Sequence, residues 1–334
     1  MSAQELAQLQ AQAAGGSVTA ELKLARAYES GVGVPQDDRL AAQWYRKAAE
    51  QGNSEAQDAL GAMYLVGQGL EQNKEEAAKW FQKSACQGNV SAMYRMGAAY
   101  YNGDGVPIND SLAYAWFRLA EAAGNQRATE AVQRAESELK PSIITDGLKK
   151  IAEFFEPNGC LPQDDSQAAH WWSMAAARGD PDAQVALGMK LLNGQGLPQD
   201  LVQGRQLCNE AAKHEQQRGQ YCMGYIYQCG LGVTPDPKKA REWYARAARW
   251  GDVPATKALA AMEAAGEGGK ADRVNAFLLY ATLVQAKDQE ALRSLARLKK
   301  SITPKEWEQL QKPLKQLRID LAKLDAALQQ IDTK

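Results

Sequence analysis

This 334-residue chain is poor in the side chains that usually announce chemistry. It has two histidines, His170 and His214, and five cysteines, with no Cys-x-x-Cys pair. The strongest sequence signals for zinc are therefore missing. Charge of one sign is also missing: 39 Lys and Arg stand against 40 Asp and Glu. A near-neutral chain offers no bulk basic footprint for nucleic acid and no bulk attraction to an anionic bilayer. No apolar run approaches the roughly 18 residues of a membrane span. Residues 1–14 lack the basic start and apolar centre of a secretory signal. The reading as written is cytoplasmic, or periplasmic or secreted if a leader preceded this start. The odd cysteine count, and the spacing of Cys222 and Cys229 along one helix, lead us to expect five free thiols.

Nucleotide and hydrolase signatures are equally scarce. There is no phosphate-cradling G-x-x-x-x-G-K-[ST] and no G-x-S-x-G elbow. Ser137-x-x-Lys140 has the S-x-x-K form of penicillin-recognising enzymes without its companion motifs. A hydrolase acting on cell-wall or β-lactam-like material is thus kept only as an alternative. No catalytic, cofactor-binding or metal-ligating set is expected.

What the chain does have is repetition. GVGVPQD at 31–37, GQGLEQN at 67–73 and GDGVPIN at 103–109 start 36 residues apart. NGCLPQD (158–164), GQGLPQD (194–200), GLGVTPD (230–236) and GEGGKAD (266–272) continue at the same period after a 19-residue insertion. Before each motif, a small residue and a Leu, Met or Ile recur at i and i+4, followed at i+8 by Tyr in four repeats and by Phe155, Leu191 and Glu263 in the others, as in Ala56, Leu60 and Tyr64. That spacing is one face of an α-helix, helix A of the repeat. The first Gly suits a left-handed helix end and the second a tight turn. Asn158 and Cys160 stand at these places in the fourth repeat, where a distorted turn is expected. The closing Asp or Asn suits an N-cap for helix B. Helix B carries Trp44, Trp80, Trp116, Trp171 and Trp243 at its bulky position, with Leu207 and Leu279 in the other two repeats. We expect these side chains to fill the core between stacked helix pairs.

The unit A-x-x-x-L-G-x-x-Y-x-x-G-x-G-V, followed by A-x-x-W-Y-x-K-A-A-x-x-G-N, resembles the Sel-one-like repeat, a relative of the tetratricopeptide repeat. Ala56, Leu60, Gly61, Tyr64, Gly67, Gly69, Ala77, Trp80, Phe81, Ala85, Gly88 and Asn89 carry the match in the second repeat. The resemblance implies an all-α, α/α superhelical solenoid of seven helix–turn–helix repeats. It also implies an adaptor role in protein complexes, often bacterial, with no common catalytic residue. A cysteine-rich secreted branch of the family has a disulfide in each repeat, a pattern this chain lacks. The organisation expected is an N-terminal capping helix (1–16), repeats 1–3 (17–125), an inserted helix and junction (126–143), repeats 4–7 (144–287) and C-terminal capping helices (288–334).

A larger duplication underlies the repeats. At an offset of 163 residues, Gly31 meets Gly194, Ala128 meets Ala291, Val132 meets Leu295 and Pro141 meets Pro304. The insertion and the C-terminal tail should then hold equivalent extra helices, and the two runs form two subarrays with a change of superhelix direction near 126–145. The tail, with Leu310, Leu314, Leu317, Leu321, Leu324 and Leu328, reads as one long helix over 304–331. It is expected to cap the last repeat. A self-association seam making a structural homo-oligomer is the alternative.

The resemblance places helix A along a concave groove. Leu65, Tyr94, Tyr101, Val185, Met189, Leu192, Tyr221 and Tyr225 are the groove positions with apolar or aromatic character, and aromatics and Met favour interfaces. They form the expected partner-binding site for a protein or peptide segment. Neither nucleic acid nor membrane insertion is expected, and the oligomeric state is open, with a monomer favoured.

Overall fold

The computed structural model of the chain describes residues 2–213, 216–320, 323, 324 and 328. Among these the secondary structure is all helical. In chain order the helices are α1 (Ala3–Ala14), α2 (Val18–Ser30), α3 (Asp38–Glu50), α4 (Ser54–Val66), α5 (Lys74–Ala85), α6 (Val90–Asn102), α7 (Asp110–Ala122), α8 (Gln126–Glu138) and α9 (Pro141–Phe154). They continue as α10 (Asp165–Ala176), α11 (Pro181–Asn193), α12 (Leu201–Lys213), α13 (Gln217–Cys229), α14 (Pro237–Arg249), α15 (Val253–Ala265), α16 (Arg273–Gln285), α17 (Gln289–Lys299) and α18 (Pro304–Gln316). The chain forms two compact units, 1–178 and 179–334. The first takes in the inserted helix α8 and the fourth repeat's helix pair, α9 and α10.

The helix ends follow the residues that predict them. Gly31, Gly67, Gly103, Gly194, Gly230 and Gly266 all close their helices in the left-handed conformation. In the fourth repeat Asn158 takes φ 68° in place of glycine. Asp37, Asn73, Asn109, Asp164, Asp200, Asp236 and Asp272 each accept a backbone N–H from the start of a helix B. Each such cap contributes about 1 kcal/mol. Lys287, where other repeats have Gly, adopts φ 67°; the equivalent Glu215 lies outside the described residues.

The pairing of helix A with helix B rests on a contact the sequence reading assigned to the wrong residue. Trp44, Trp80 and Trp243 are only partly buried, and Lys47, Lys83 and Arg246 lie over their rings at 4.1, 4.1 and 4.7 Å. In these three repeats the deeper side chain is the next one along helix B, Tyr45, Phe81 or Tyr244; Phe117 and Trp172, at the same position, are also buried. Three of these rings press on a helix A glycine. A Cβ added at Gly61, Gly97 or Gly224 would stand 2.7, 2.5 or 2.5 Å from the ring of Phe81, Phe117 or Tyr244. Only Trp116 and Trp171 meet the expectation of a buried tryptophan at the bulky position.

The larger duplication appears in the packing. α8 opens on Asn125 and α17 on Asp288, caps of the helix A type, whereas α9 and α18 open on prolines 141 and 304. α7 packs against both α8 and α9, and α16 packs against both α17 and α18. Helix α18 is shorter than expected. It ends at Gln316, and Arg318 adopts φ 56°, so the tail does not continue as one helix to 331. Leu310, Leu314, Leu324 and Leu328 are buried in the last core cluster with Phe277 and Leu295. Leu317 is exposed, and Leu321 lies outside the described residues. These four leucines thus serve this chain's own core.

The expectation of five free thiols is overturned. Cys86 bonds Cys160, with Cα atoms 5.1 Å apart, and Cys208 bonds Cys222 at 5.8 Å; Cys229 is free and exposed. The sequence test considered two cysteines on one helix. The real pairs join different helices: Cys208 on α12 faces Cys222 on the antiparallel α13, and Cys160 occupies the turn position where other repeats have their second glycine.

Candidate functional site

Helix α6 offers Tyr94, Ala98 and Tyr101 at i, i+4 and i+7, a spacing that aligns them on one face. Helix α7 supplies a floor of Ala113, Tyr114 and Phe117. Helix α8 stands opposite with Arg127, Glu130, Arg134 and Glu138, again spaced at three and four residues. The three helices enclose a cleft of about 390 Å³. Tyr101 is 50% exposed, whereas the Tyr94 ring leans on Phe117 with centroids 5.5 Å apart. The Tyr114 hydroxyl donates to Glu136 at 3.0 Å, and burial, followed by that bond, pushes the phenol above its ordinary range. It is therefore a neutral donor throughout the physiological range. The four charged residues of α8 are exposed, and no ion pair among the described residues engages them.

A polar pocket lined by Ser91, Arg95, Asn125 and Gln126 shares Tyr94 and Arg127 with this cleft and extends it along α6. The chemistry on offer is aromatic stacking, one buried phenol and alternating charge along one wall. Ser137, the first residue of the S-x-x-K match, is exposed on α8, and its hydroxyl donates to the Arg134 carbonyl at 2.7 Å. His170 is exposed on α10 and meets Trp171 edge-on; His214 lies outside the described residues.

The eight positions expected to line a groove divide by chemistry. Tyr94 and Tyr101 share the α6–α7–α8 cleft. Leu65 is half-buried on α4 and does not reach that cleft. Val185 and Leu192 are 7% and 1% exposed, so they belong to the core and not to a surface. Met189 packs against the same cluster, with its sulfur 3.4 Å from Cys222 Sγ. Tyr221 and Tyr225 are half-buried, and the Tyr221 ring tilts against Tyr244 at 5.6 Å. Val185 and Leu192, without a polar tip, went inward, and the tyrosines stayed at the boundary.

Sequence reasoning missed the α8 wall, although the three- and four-residue spacing of its charges was there to read. It also missed a counterpart 163 residues on. Tyr94, Ala98, Phe117, Arg127 and Ala131 correspond to Lys257, Ala261, Tyr280, Glu290 and Ser294, which line a cleft of about 450 Å³ in the second unit. There, Lys257 bridges Asp288 at 2.8 Å and Glu290 at 2.7 Å. The equivalent site has exchanged a tyrosine and an arginine for an internal ion pair.

Among the described residues no helix is long and apolar enough to cross a membrane. The Sel1 repeat model matches residues 18–53, 54–89, 90–125, 152–180, 181–215 and 217–252, more than half of the chain. The seventh helix pair, α15 and α16, is outside the match; it has Glu263 at the Tyr position and Leu279 at the Trp position. An uncharacterized protein of Neisseria meningitidis is 35% identical over 99 residues, 30% of this chain and 21% of its own length. Chitin synthase regulatory factor 3 of Schizosaccharomyces pombe is 32% identical over 114 residues, 33% of this chain and 12% of that protein. The chain thus spans about a fifth or less of these relatives. A protective antigen of uropathogenic Escherichia coli with an SLR fold is 29% identical with a TM-score of 0.48, over 96% of this chain and 64% of that one.

Proposed function

The chain belongs to the Sel1 repeat family, whose repeats are non-catalytic and mediate protein–protein interaction, and from that premise we propose that it is an adaptor holding a segment of a protein partner in the α6–α7–α8 cleft. The observation that carries this reading is Tyr101. A half-exposed tyrosine in a cleft beside a partly buried second one is the arrangement that concentrates binding energy at interfaces. Arg127, Glu130, Arg134 and Glu138 would set the direction of the bound segment, because alternating charge selects a complementary pattern and rejects its reverse.

The test is site-specific crosslinking. A photoreactive phenylalanine analogue at 101 should capture one defined segment of one partner, and the same analogue at exposed Ile108 should not. Combining Tyr101→Ala with Arg134→Ala should abolish that capture by the partner's own label. Equal capture from 101 and 108, or undiminished recovery by the double variant, would remove the cleft from consideration.

The two disulfides support work in an oxidising setting, periplasmic or extracellular, over the cytoplasm, where such bonds are rare. Thiol labelling of the protein in its native cells should modify Cys229 alone. Modification of all five cysteines would return the protein to a reducing compartment.

A further inference from the structure

In the first two repeats, a glutamine ladder joins helix A to the end of helix B. Gln51 Nε2 donates to Glu21 Oε2, and thirty-six residues on Gln87 Nε2 donates to Gln57 Oε1, both at 2.7 Å. Gln57 in turn donates to the Ala49 carbonyl at 3.0 Å. At the 163-residue offset Gln57 becomes Gln220 and Gln87 becomes Trp250. The ladder therefore stops. Gln220 is 6% exposed, and its Oε1 is buried without a hydrogen-bond partner. A buried acceptor left unmatched is destabilising, so its retention needs a reason.

The reason is in the neighbouring side chains. Cys86, held to Cys160 in the first unit, corresponds to Arg249, and Lys83 corresponds to Arg246. Gln220, Trp243, Arg246, Arg249, Trp250 and Lys213 line a cleft of about 690 Å³ at the end of α14, with no carboxylate among its described lining residues. Arg246 and Arg249 are exposed, and Trp250 is 60% exposed. Lys213 is paired with Glu210 on its own helix, which leaves the two guanidinium groups as the dominant charge. Arg246 covers the Trp243 ring, which closes that face to a stacking sugar; a guanidinium's planar N–H fork matches a carboxylate.

We propose that this cleft is a second binding site, distinct from that of α6–α7–α8, for an acidic peptide segment: Arg246 and Arg249 take its carboxylates, Trp250 covers it, and a backbone N–H donates to Gln220 Oε1. A polyphosphate brings the charge without the donor. A peptide brings both along one strand.

The probe is a fluorescent, end-blocked hexaglutamate followed by anisotropy on the full chain. It should bind with an affinity that falls as salt rises. Trp250→Gln, which restores the ladder residue, and Arg246→Ala/Arg249→Ala should each weaken binding by about tenfold or more, with the thermal midpoint within a few degrees of the parent. Tyr101→Ala should bind the probe as the parent does, which separates this site from the first. Absence of binding by the parent chain would overturn the proposal, as would unchanged binding in the Trp250 and Arg246/Arg249 variants. Tighter binding of an oligouronate or of inorganic polyphosphate would overturn it in favour of a polyanion site.

Discussion

Gly97 on α6 and the ring of Phe117 on α7 fill one shared space: a Cβ on Gly97 would lie 2.5 Å from Phe117 Cδ1. Replacing a mid-helix glycine by alanine ordinarily stabilises by about 0.5–1 kcal/mol. Here the sign reverses. Gly97→Ala should cost about 1–3 kcal/mol through overpacking, and Gly97→Ala/Phe117→Leu should recover part of it. Urea melts of the three proteins check this; a more stable Gly97→Ala would refute the close packing of α6 on α7.

The two disulfides should differ in worth. They close separations of 74 and 14 residues, for which chain-entropy arguments give about 4.5 and about 3 kcal/mol. Cys86→Ser/Cys160→Ser should therefore lower the thermal midpoint of its unit more than Cys208→Ser/Cys222→Ser lowers that of the other. Calorimetry with and without reductant measures both.

Glu263 is 6% exposed, accepts from Asn275 at 2.6 Å and pairs with Arg241 at 3.3 Å. Burial outweighs those partners and raises its carboxyl above the ordinary glutamate range. The group's stabilising contribution is thus full below the unfolded-state value and is lost as pH rises through the folded one. Glu263→Gln should be more stable than the parent at pH 8, with the difference closing on acidification toward pH 4. A difference that widened toward acid would mean that the Arg241 pair outweighs burial.

Leu310 and Leu314 are fully buried against the last repeat. Leu310→Ala should cost about 2–5 kcal/mol and leave the molar mass by light scattering unchanged. A seam between copies would produce the opposite pair of results, with a fall in mass and little change in stability.

Local rules were legible in the sequence and distant ones were not. Gly31, Asp37 and their equivalents announce helix ends because capping involves only the adjacent turn. Pro141 and Pro304 likewise announce α9 and α18. The choice between Trp80 and Phe81 as the buried side chain depends on Gly61 in the facing helix, visible only once the pairing is known. Val185 and Leu192 were placed on a groove because a helix face was assigned without its neighbours, and α12 and α13 cover them. The break at Leu317 and Arg318 in the leucine pattern was hidden by its regular spacing. Tyr94 and Tyr101 could be read as sharing a helix face, but the wall facing them comes from a helix outside the repeat.

The Cys86–Cys160 bond has a bearing on how the first cleft behaves. Repeat stacks ordinarily fray one unit at a time, since each contacts only its neighbours. Here α6, α7 and α8 all lie inside one covalent ring. The bond ties the two ends of this segment, which shrinks the set of unfolded arrangements open to Tyr94, Tyr101 and the charged face of α8. Less freedom is then lost on association, and cutting that single bond should loosen the guest's grip without touching a residue that meets it.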